Sequence, residues 1–201
     1  MQKTENVLVV PTASLGDAVA MNGLITGREN EVMDLIRREG FFLDRPTAEE
    51  SPAYRQIIPY VAVVRGGEVF ATRRLPKGGE SRLHGRLSLG VGGHINETDR
   101  KDGDWLLNCL RREIEEEIDI ADFGTLTLRG LINDGSDAVG SVHLGFFFTL
   151  TTGGDVSVRE TEKLSGGFLP IASLAERLEE MESWSRFAAP ELEKLWTAGT
   201  L

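Results

Sequence analysis

Runs of apolar residues, separated by glycine, proline and charge, divide the chain into elements. Asn6–Val10 reads as a short strand that Pro11 ends, since proline has no N–H for a ladder. Glu29–Arg38 carries Val32, Leu35 and Ile36 at helical spacing, with Gly40 as a natural stop. Phe41–Tyr54 shows no period, and Pro46, Pro52 and the pair Glu49–Glu50 make irregular structure the expectation. The pattern changes at Gln56: Ile57–Val64 is almost wholly apolar, Gly66–Gly67 is a turn, and Glu68–Leu75 returns as a strand, a hairpin. Pro76–Gly85 is a polar loop, and Leu87–Val91 a short strand leading into a glycine turn. A helix opens at Asp102 or Asp104, either of which can cap it, and runs to Ile118. Leu126–Ile132, Val142–Thr151 and Asp155–Arg159 read as strands, with Asn133–Gly140 joining the first two. Pro170 and Ser173 precede an amphipathic helix, and Pro190 opens a second that ends near Trp196. Strands, helix, strands, helix is the order of an α/β sandwich in which helices cover a sheet.

Composition narrows the class. The 201 residues suit one domain with an appendage, and 40% hydrophobic with 27% charged content is ordinary for a globular protein. A net charge of -10 argues against general nucleic-acid binding. Cys109 is the only cysteine, so no disulfide forms within the chain and a zinc cluster is not expected. No apolar run reaches membrane-spanning length, and the first residues lack the pattern of a signal peptide. A soluble cytoplasmic protein is the expectation.

The chemistry concentrates in one helix. Glu113, Glu115, Glu116, Glu117 and Asp119 put five acidic side chains within seven positions, just beyond the glycine turn Leu89–Asn96. At about 100° per residue Glu113, Glu116 and Glu117 share a face, beside an apolar stripe of Leu107, Leu110, Ile114 and Ile118. Such crowding is costly unless a cation answers it, and Mg²⁺ takes oxygen ligands together with substrate phosphates. A metal-dependent phosphate enzyme is therefore expected. Arg73, Arg74, Lys77, Arg82 and Arg86 gather beside the turn against only Glu80, a patch suited to docking phosphates. His94 and His143 read chiefly as structural, Cys109 as a small core residue, and at least one of Phe146, Phe147 and Phe148 as core.

Glycine turn and acidic helix together resemble the Nudix hydrolases, the MutT-like family. Their signature is glycine, five residues, glutamate, seven residues, then Arg-Glu-apolar-any-Glu-Glu-any-Gly-apolar. Arg112, Glu113, Ile114, Glu116, Glu117 and Ile120 match its second half, and Gly92 and Gly93 its leading glycines. Two departures stand. The spacing from Gly93 to Arg112 is long, which implies an insertion around Thr98–Gly103 and puts the first signature glutamate at Asp99 or Asp104. The helix-ending glycine is Asp119. The blocks SRLHGRLSLGVGGHIN and VGSVHLGFFF look like those of a bacterial subgroup of predicted phosphoesterases.

The resemblance implies a Nudix-like α/β/α sandwich with a mixed sheet over 56–201, and residues 1–55 as an N-terminal extension packed on it. It implies Mg²⁺, with Mn²⁺ as substitute, held by Glu113, Glu116, Glu117 and the Gly92 carbonyl, with Glu160 and Glu162 as further candidates. Arg112, Glu113, Glu116 and Glu117 become the catalytic set, with Arg112 orienting a glutamate. Arg73, Arg74, Arg82, Arg86, Gly93 and His94 become the substrate contacts. The implied reaction is cleavage of a diphosphate linkage, in a nucleoside-diphosphate-linked or similar small molecule, by metal-activated water. The alternative is a Nudix domain that binds such a ligand without cleaving it. An isomerase on the same fold ranks below both, because its cysteine belongs on a strand and Cys109 is on the helix. A homodimer is expected by analogy with relatives.

Overall fold

The structure is a computed structural model that describes residues 5–75, 85–159 and 161–201. Its strands and α-helices are β1 (Asn6–Pro11), α1 (Thr12–Leu15), β2 (Gly23–Ile25), α2 (Glu29–Glu39), β3 (Phe41–Asp44), α3 (Arg45–Glu50), β4 (Tyr54–Arg65), β5 (Glu68–Arg74), β6 (Leu87–Ser88), β7 (Val91–Gly92), α4 (Trp105–Glu117), β8 (Ile118–Ile120), β9 (Leu126–Asn133), β10 (His143–Thr151), β11 (Val156–Val158), β12 (Leu164–Pro170) and α5 (Ser183–Thr197). The fold is mixed α/β. The chain packs as two compact units, the first made of residues up to Tyr60, Gly92–Arg111 and Arg129–Phe147. The second takes Val61–Val91, Arg112–Leu128 and Phe148–Leu201.

In the first unit the strands lie in the order β4, β10, β9, β2, and β1 pairs with both β3 and β4. β1 is buried from Val7 to Val10 and runs antiparallel to β3 (Asn6↔Asp44 to Val9↔Phe41) and to the start of β4 (Val9↔Gln56 to Pro11↔Tyr54). Arg55, second in β4, donates to the carbonyl of His143, first in β10, so these neighbouring strands start together and run the same way. The sheet is mixed for that reason. Segment 41–54 is not irregular. Phe41 and Phe42 are good strand formers, and Asp44 caps α3 by accepting from the Thr47 N–H at 3.4 Å. Pro46 sits in that helix's first turn, where no N–H is needed. Proline and acidic residues hid a helix start.

The second unit contains the expected hairpin. Val64↔Val69 and Arg65↔Glu68 close it, with Gly66 and Gly67 at φ +52° and +89°, the left-handed pair that a two-residue hairpin turn requires. β12 adds seven residues to the other side of β5, from Leu164↔Arg74 to Pro170↔Glu68. Gly166–Gly167 erases its alternation in the sequence, yet Phe168 packs edge-on against Phe70 at 5.4 Å and lies 3.9 Å beneath the Arg65 guanidinium. Past Pro170 the chain forms two short 3₁₀ helices, Ile171–Ser173 and Ala175–Glu180, and then one long helix, which Pro190 lies within and does not open. α5 continues through Pro190 because Ser185, Ala188, Ala189 and Leu192 are buried along one face, which outweighs a lost hydrogen bond. Glu182 caps it, accepting from Trp184 N at 2.7 Å and Ser185 N at 2.9 Å.

Candidate active site

The glycine turn belongs to the first unit. A Cβ on Gly92 would run into the Pro59 carbonyl and stand 3.1 Å from the Tyr60 Cα, so the backbones meet at a distance only glycine allows. The next carbonyl, of Gly93, accepts from the Cys109 thiol at 3.6 Å. Cys109 is fully buried on α4, a core donor as expected. His94 and His143 meet through their Nε2 atoms at 3.1 Å, and His143 Nδ1 lies 2.7 Å from the Val139 carbonyl. A carbonyl only accepts, so His143 carries its proton on Nδ1 and, when neutral, accepts on Nε2 from His94.

The insertion after the turn is a 3₁₀ helix, Glu97–Gly103. Asn96 and Asp99 close a capping box at its start, with Thr98 N to Asn96 Oδ1 and Asn96 N to Asp99 Oδ2 both at 2.9 Å. Asp104 then opens α4 by accepting from Leu107 N at 3.2 Å. The N-terminal strand holds this stretch: Leu8 N donates to the Ile95 carbonyl at 2.8 Å, and Phe42 packs on Trp105 at 5.8 Å with Arg100 over both rings.

The acidic end of α4 belongs to the second unit. Arg112 Nη1 is 2.6 Å from Glu113 Oε1 and 3.6 Å from Glu116 Oε1. The Glu113 side chain is only 14% exposed, while that of Glu116 is 60% exposed. Glu117 is half-buried, and its carbonyl accepts from Arg159 N at 2.9 Å. Asp119, at the signature's last glycine, lies in β8 opposite Ser157 and pairs with Arg159 at 2.5 Å. α4 thus passes straight into a strand, a route that asks for no glycine. Glu162 is exposed in the turn before β12, and Glu160 lies outside the described residues. Among the described residues no three His, Cys, Asp or Glu side chains are gathered as a ready metal cluster. The donor types do suit a hard dication, since the carboxylates that Arg112 draws together are its preferred ligands.

Two residues of the basic patch, Arg73 and Arg86, are engaged by the C-terminal segment. Arg73 pairs with Glu180 at 2.6 Å and donates to the Gly85 carbonyl, while Arg86 donates to the Glu179 carbonyl at 2.7 Å. The Arg177 guanidinium, then that of Arg73, holds the Glu180 carboxyl at about 2. Arg74 is half-buried opposite Leu164, and Lys77 and Arg82 lie outside the described residues. Glu180 is more than a hundred positions from Arg73, so sequence spacing gave no sign of this pairing. Phe146, Phe147 and Phe148 are all buried. Sequence reasoning overlooked Arg55, whose only signal is a charge opening an apolar run. It is buried and donates to the Gly140 carbonyl at 2.8 Å.

This arrangement of mixed sheet, glycine turn and Arg-Glu-rich helix end is that of a diphosphate-processing hydrolase fold. No family model matches the chain. The crystal structure of Tm1382, a candidate Nudix hydrolase, superposes with a TM-score of 0.82 at 30% identity, over 95% of this chain and 100% of that one. Protein YmaB of Bacillus subtilis (strain 168) is 36% identical over 201 residues, 94% of this chain and 98% of that protein. The Nudix domain of Shewanella oneidensis NrtR, crystallised with ADP ribose, shares the fold at a TM-score of 0.52 and 14% identity, over 73% of this chain and 89% of that one. The chain belongs to the Nudix hydrolases, the MutT-like family.

Proposed function

We propose that the protein hydrolyses a diphosphate linkage in a nucleoside-diphosphate-linked or similar small molecule, with Mg²⁺ as cofactor and Mn²⁺ as its substitute. The observation that carries this reading is Arg112 at the end of α4, paired with Glu113 and within reach of Glu116. A planar guanidinium aims a carboxylate by a charge-assisted bond, the task that an arginine beside a general base or metal ligand performs. Glu113, Glu116 and Glu117, with the Gly92 carbonyl, are the residues that would hold the metal. Glu160 and Glu162 are further candidates. When bound, the ion lowers the pKa of a water and offsets charge building on phosphoryl oxygens.

The chain's own part is separable. Arg112 fixes the rotamer of Glu113, and the low exposure of that carboxylate limits competition from bulk water. One glutamate of the set accepts the proton of the attacking water. Arg73, Arg74, Arg82, Arg86, Gly93 and His94 are the proposed substrate contacts, Arg73 and Arg86 doing so only by exchanging their present partners. Residues 1–55 act as an extension that steadies the glycine turn, a reading supported by the Leu8–Ile95 bond. A cytoplasmic location and a homodimer complete the proposal.

The test is a panel of diphosphate compounds, led by ADP ribose because the NrtR domain binds it, assayed with Mg²⁺, Mn²⁺ and chelator. Metal-dependent release of phosphate-containing products is expected, and Glu116→Gln should abolish it without loss of stability, since a repelling charge is removed. Tight binding without turnover would instead identify a non-catalytic ligand-binding domain. Wild-type rates in Glu116→Gln would refute the assignment.

A further inference from the structure

In the second unit β8 and β11 form a two-stranded ribbon of their own, with Val156 opposite Ile120, Ser157 opposite Asp119 and Val158 opposite Ile118. The next rung lies beyond both strands. Arg159 N donates to the carbonyl of Glu117, the last residue of α4, at 2.9 Å. The Arg159 side chain continues along the residues that follow: Nε donates to the Ile118 carbonyl at 3.3 Å, and Nη2 lies 2.5 Å from Asp119 Oδ1. One residue thus holds Glu117, Ile118 and Asp119 at once. The ribbon is itself anchored. A Cβ on Gly166 of β12 would stand 2.8 Å from Val158 Cγ1 and 2.8 Å from the Phe70 ring, an approach only glycine permits. Arg65 donates to the Gly154 carbonyl at 3.3 Å, just before β11 begins.

The last carbonyls of a helix have no partner within it, and local opening starts at such ends. A carboxylate on the final residue of α4 shares in that motion unless something outside the helix stops it. Three residue pairs of ribbon supply little stability for the purpose. The ion pair adds little either, because the Arg159 and Asp119 side chains are 49% and 59% exposed. What the guanidinium supplies is direction. Its Nε and Nη2 form one fixed edge that spans a carbonyl and a carboxylate together, which the single ammonium of a lysine does not reproduce.

We infer that Arg159 is a positioning residue for Glu117, fixing the end of α4 so that this carboxylate is presented to the metal. The inference rests on the reading of Glu117 as a metal ligand. The experiment titrates the intact protein with Mn²⁺ alone and reads the free ion by electron paramagnetic resonance. Arg159→Gln should weaken Mn²⁺ binding about tenfold, as loss of a residue that orients a ligand does. Charge alone predicts the opposite sign, because the substitution removes a cation near the acidic end of α4. Arg159→Lys keeps the charge and loses the fork; weaker binding is expected there too, and this variant serves if Arg159→Gln fails to fold. Amide exchange at position 159 should quicken in both, with the melting temperature near that of the wild type. Arg65→Gln removes an equal charge from the far end of the ribbon and should not weaken binding. Wild-type or tighter Mn²⁺ binding in either Arg159 variant would overturn the positioning role alone. Absence of Mn²⁺ binding in the wild type would overturn it together with the metal reading. Weaker binding in the variants beside an inactive diphosphate panel would uphold it and remove the substrate reading.

Discussion

At its first turns α4 is held by short, mostly neutral bonds: Asp104 takes Leu107 N, the Asn108 amide takes the Asp99 carbonyl at 3.0 Å, and Cys109 takes the Gly93 carbonyl. At its last turns the same helix carries Glu113, Glu115, Glu116 and Glu117, and Arg112 is shared between two of them. The first arrangement is what position requires, since each polar group answers a backbone group nearby. The second is poor design for stability, because like charges repel along one face. The proposed function gives a reason for a helix capped at one end and over-charged at the other: its last turns would place carboxylates at a cost in stability.

The sharpest way to break this contrast is Glu113→Gln. If the last turns serve chemistry, turnover should fall about a thousandfold, close to 4 kcal/mol of transition-state stabilisation. The melting temperature should stay near that of the wild type. A large drop in melting temperature with unchanged specific activity would make Glu113 a structural partner of Arg112 and end the distinction.

Gly92→Ala tests the other side. The added methyl meets the Pro59 carbonyl, which belongs to the buried strand β4 and has little room to yield. A cost of about 3 kcal/mol in stability is expected from such overpacking, read as a lower denaturant midpoint. Unchanged stability would show that the turn has slack. Asn96→Ala is milder. It removes one half of the capping box and should cost about 1 kcal/mol, with faster amide exchange at Thr98 and no change in the rate per folded molecule.

How much of this was legible in the sequence follows the same divide. Arg112, Glu113, Glu116 and Glu117 stand close together in sequence, and helical periodicity alone puts the three glutamates on one face. The hairpin at Gly66–Gly67 was equally plain, because two glycines between apolar runs leave few alternatives. What stayed hidden depends on partners far along the chain. β3 and α3 looked irregular since their proline and acidic residues are read as breakers until Asp44 is seen as a cap. β12 was lost because its glycines carry no alternation and only pairing with β5 makes it a strand. Arg73 and Arg86 looked available because Glu179 and Glu180 arrive from a segment no spacing rule connects to them. Arg55 looked like an ordinary strand-opening charge until its burial and its single pair of carbonyl partners were known.

The smallest effect tests whether the basic patch behaves as an internal network or as open charge. The Glu180 carboxyl is held at about 2, against an ordinary 4.5, first by the bond from Arg177 and then by that from Arg73. A depressed value means that Glu180 favours the folded state at pH above about 4.5 and that this contribution fades as pH falls through about 2. The Glu180 side chain is exposed, so salt should weaken the effect, and no large change in overall stability is expected. A ¹³C titration of the Glu180 side chain should therefore place its midpoint near 2 at low salt and higher in concentrated salt. Arg177→Gln should raise it more than Arg73→Gln does. A midpoint at the ordinary glutamate value in the wild type would mean that Arg73 is not engaged by Glu180 in solution, and that its guanidinium is as available to a phosphate as its place beside the glycine turn first suggested.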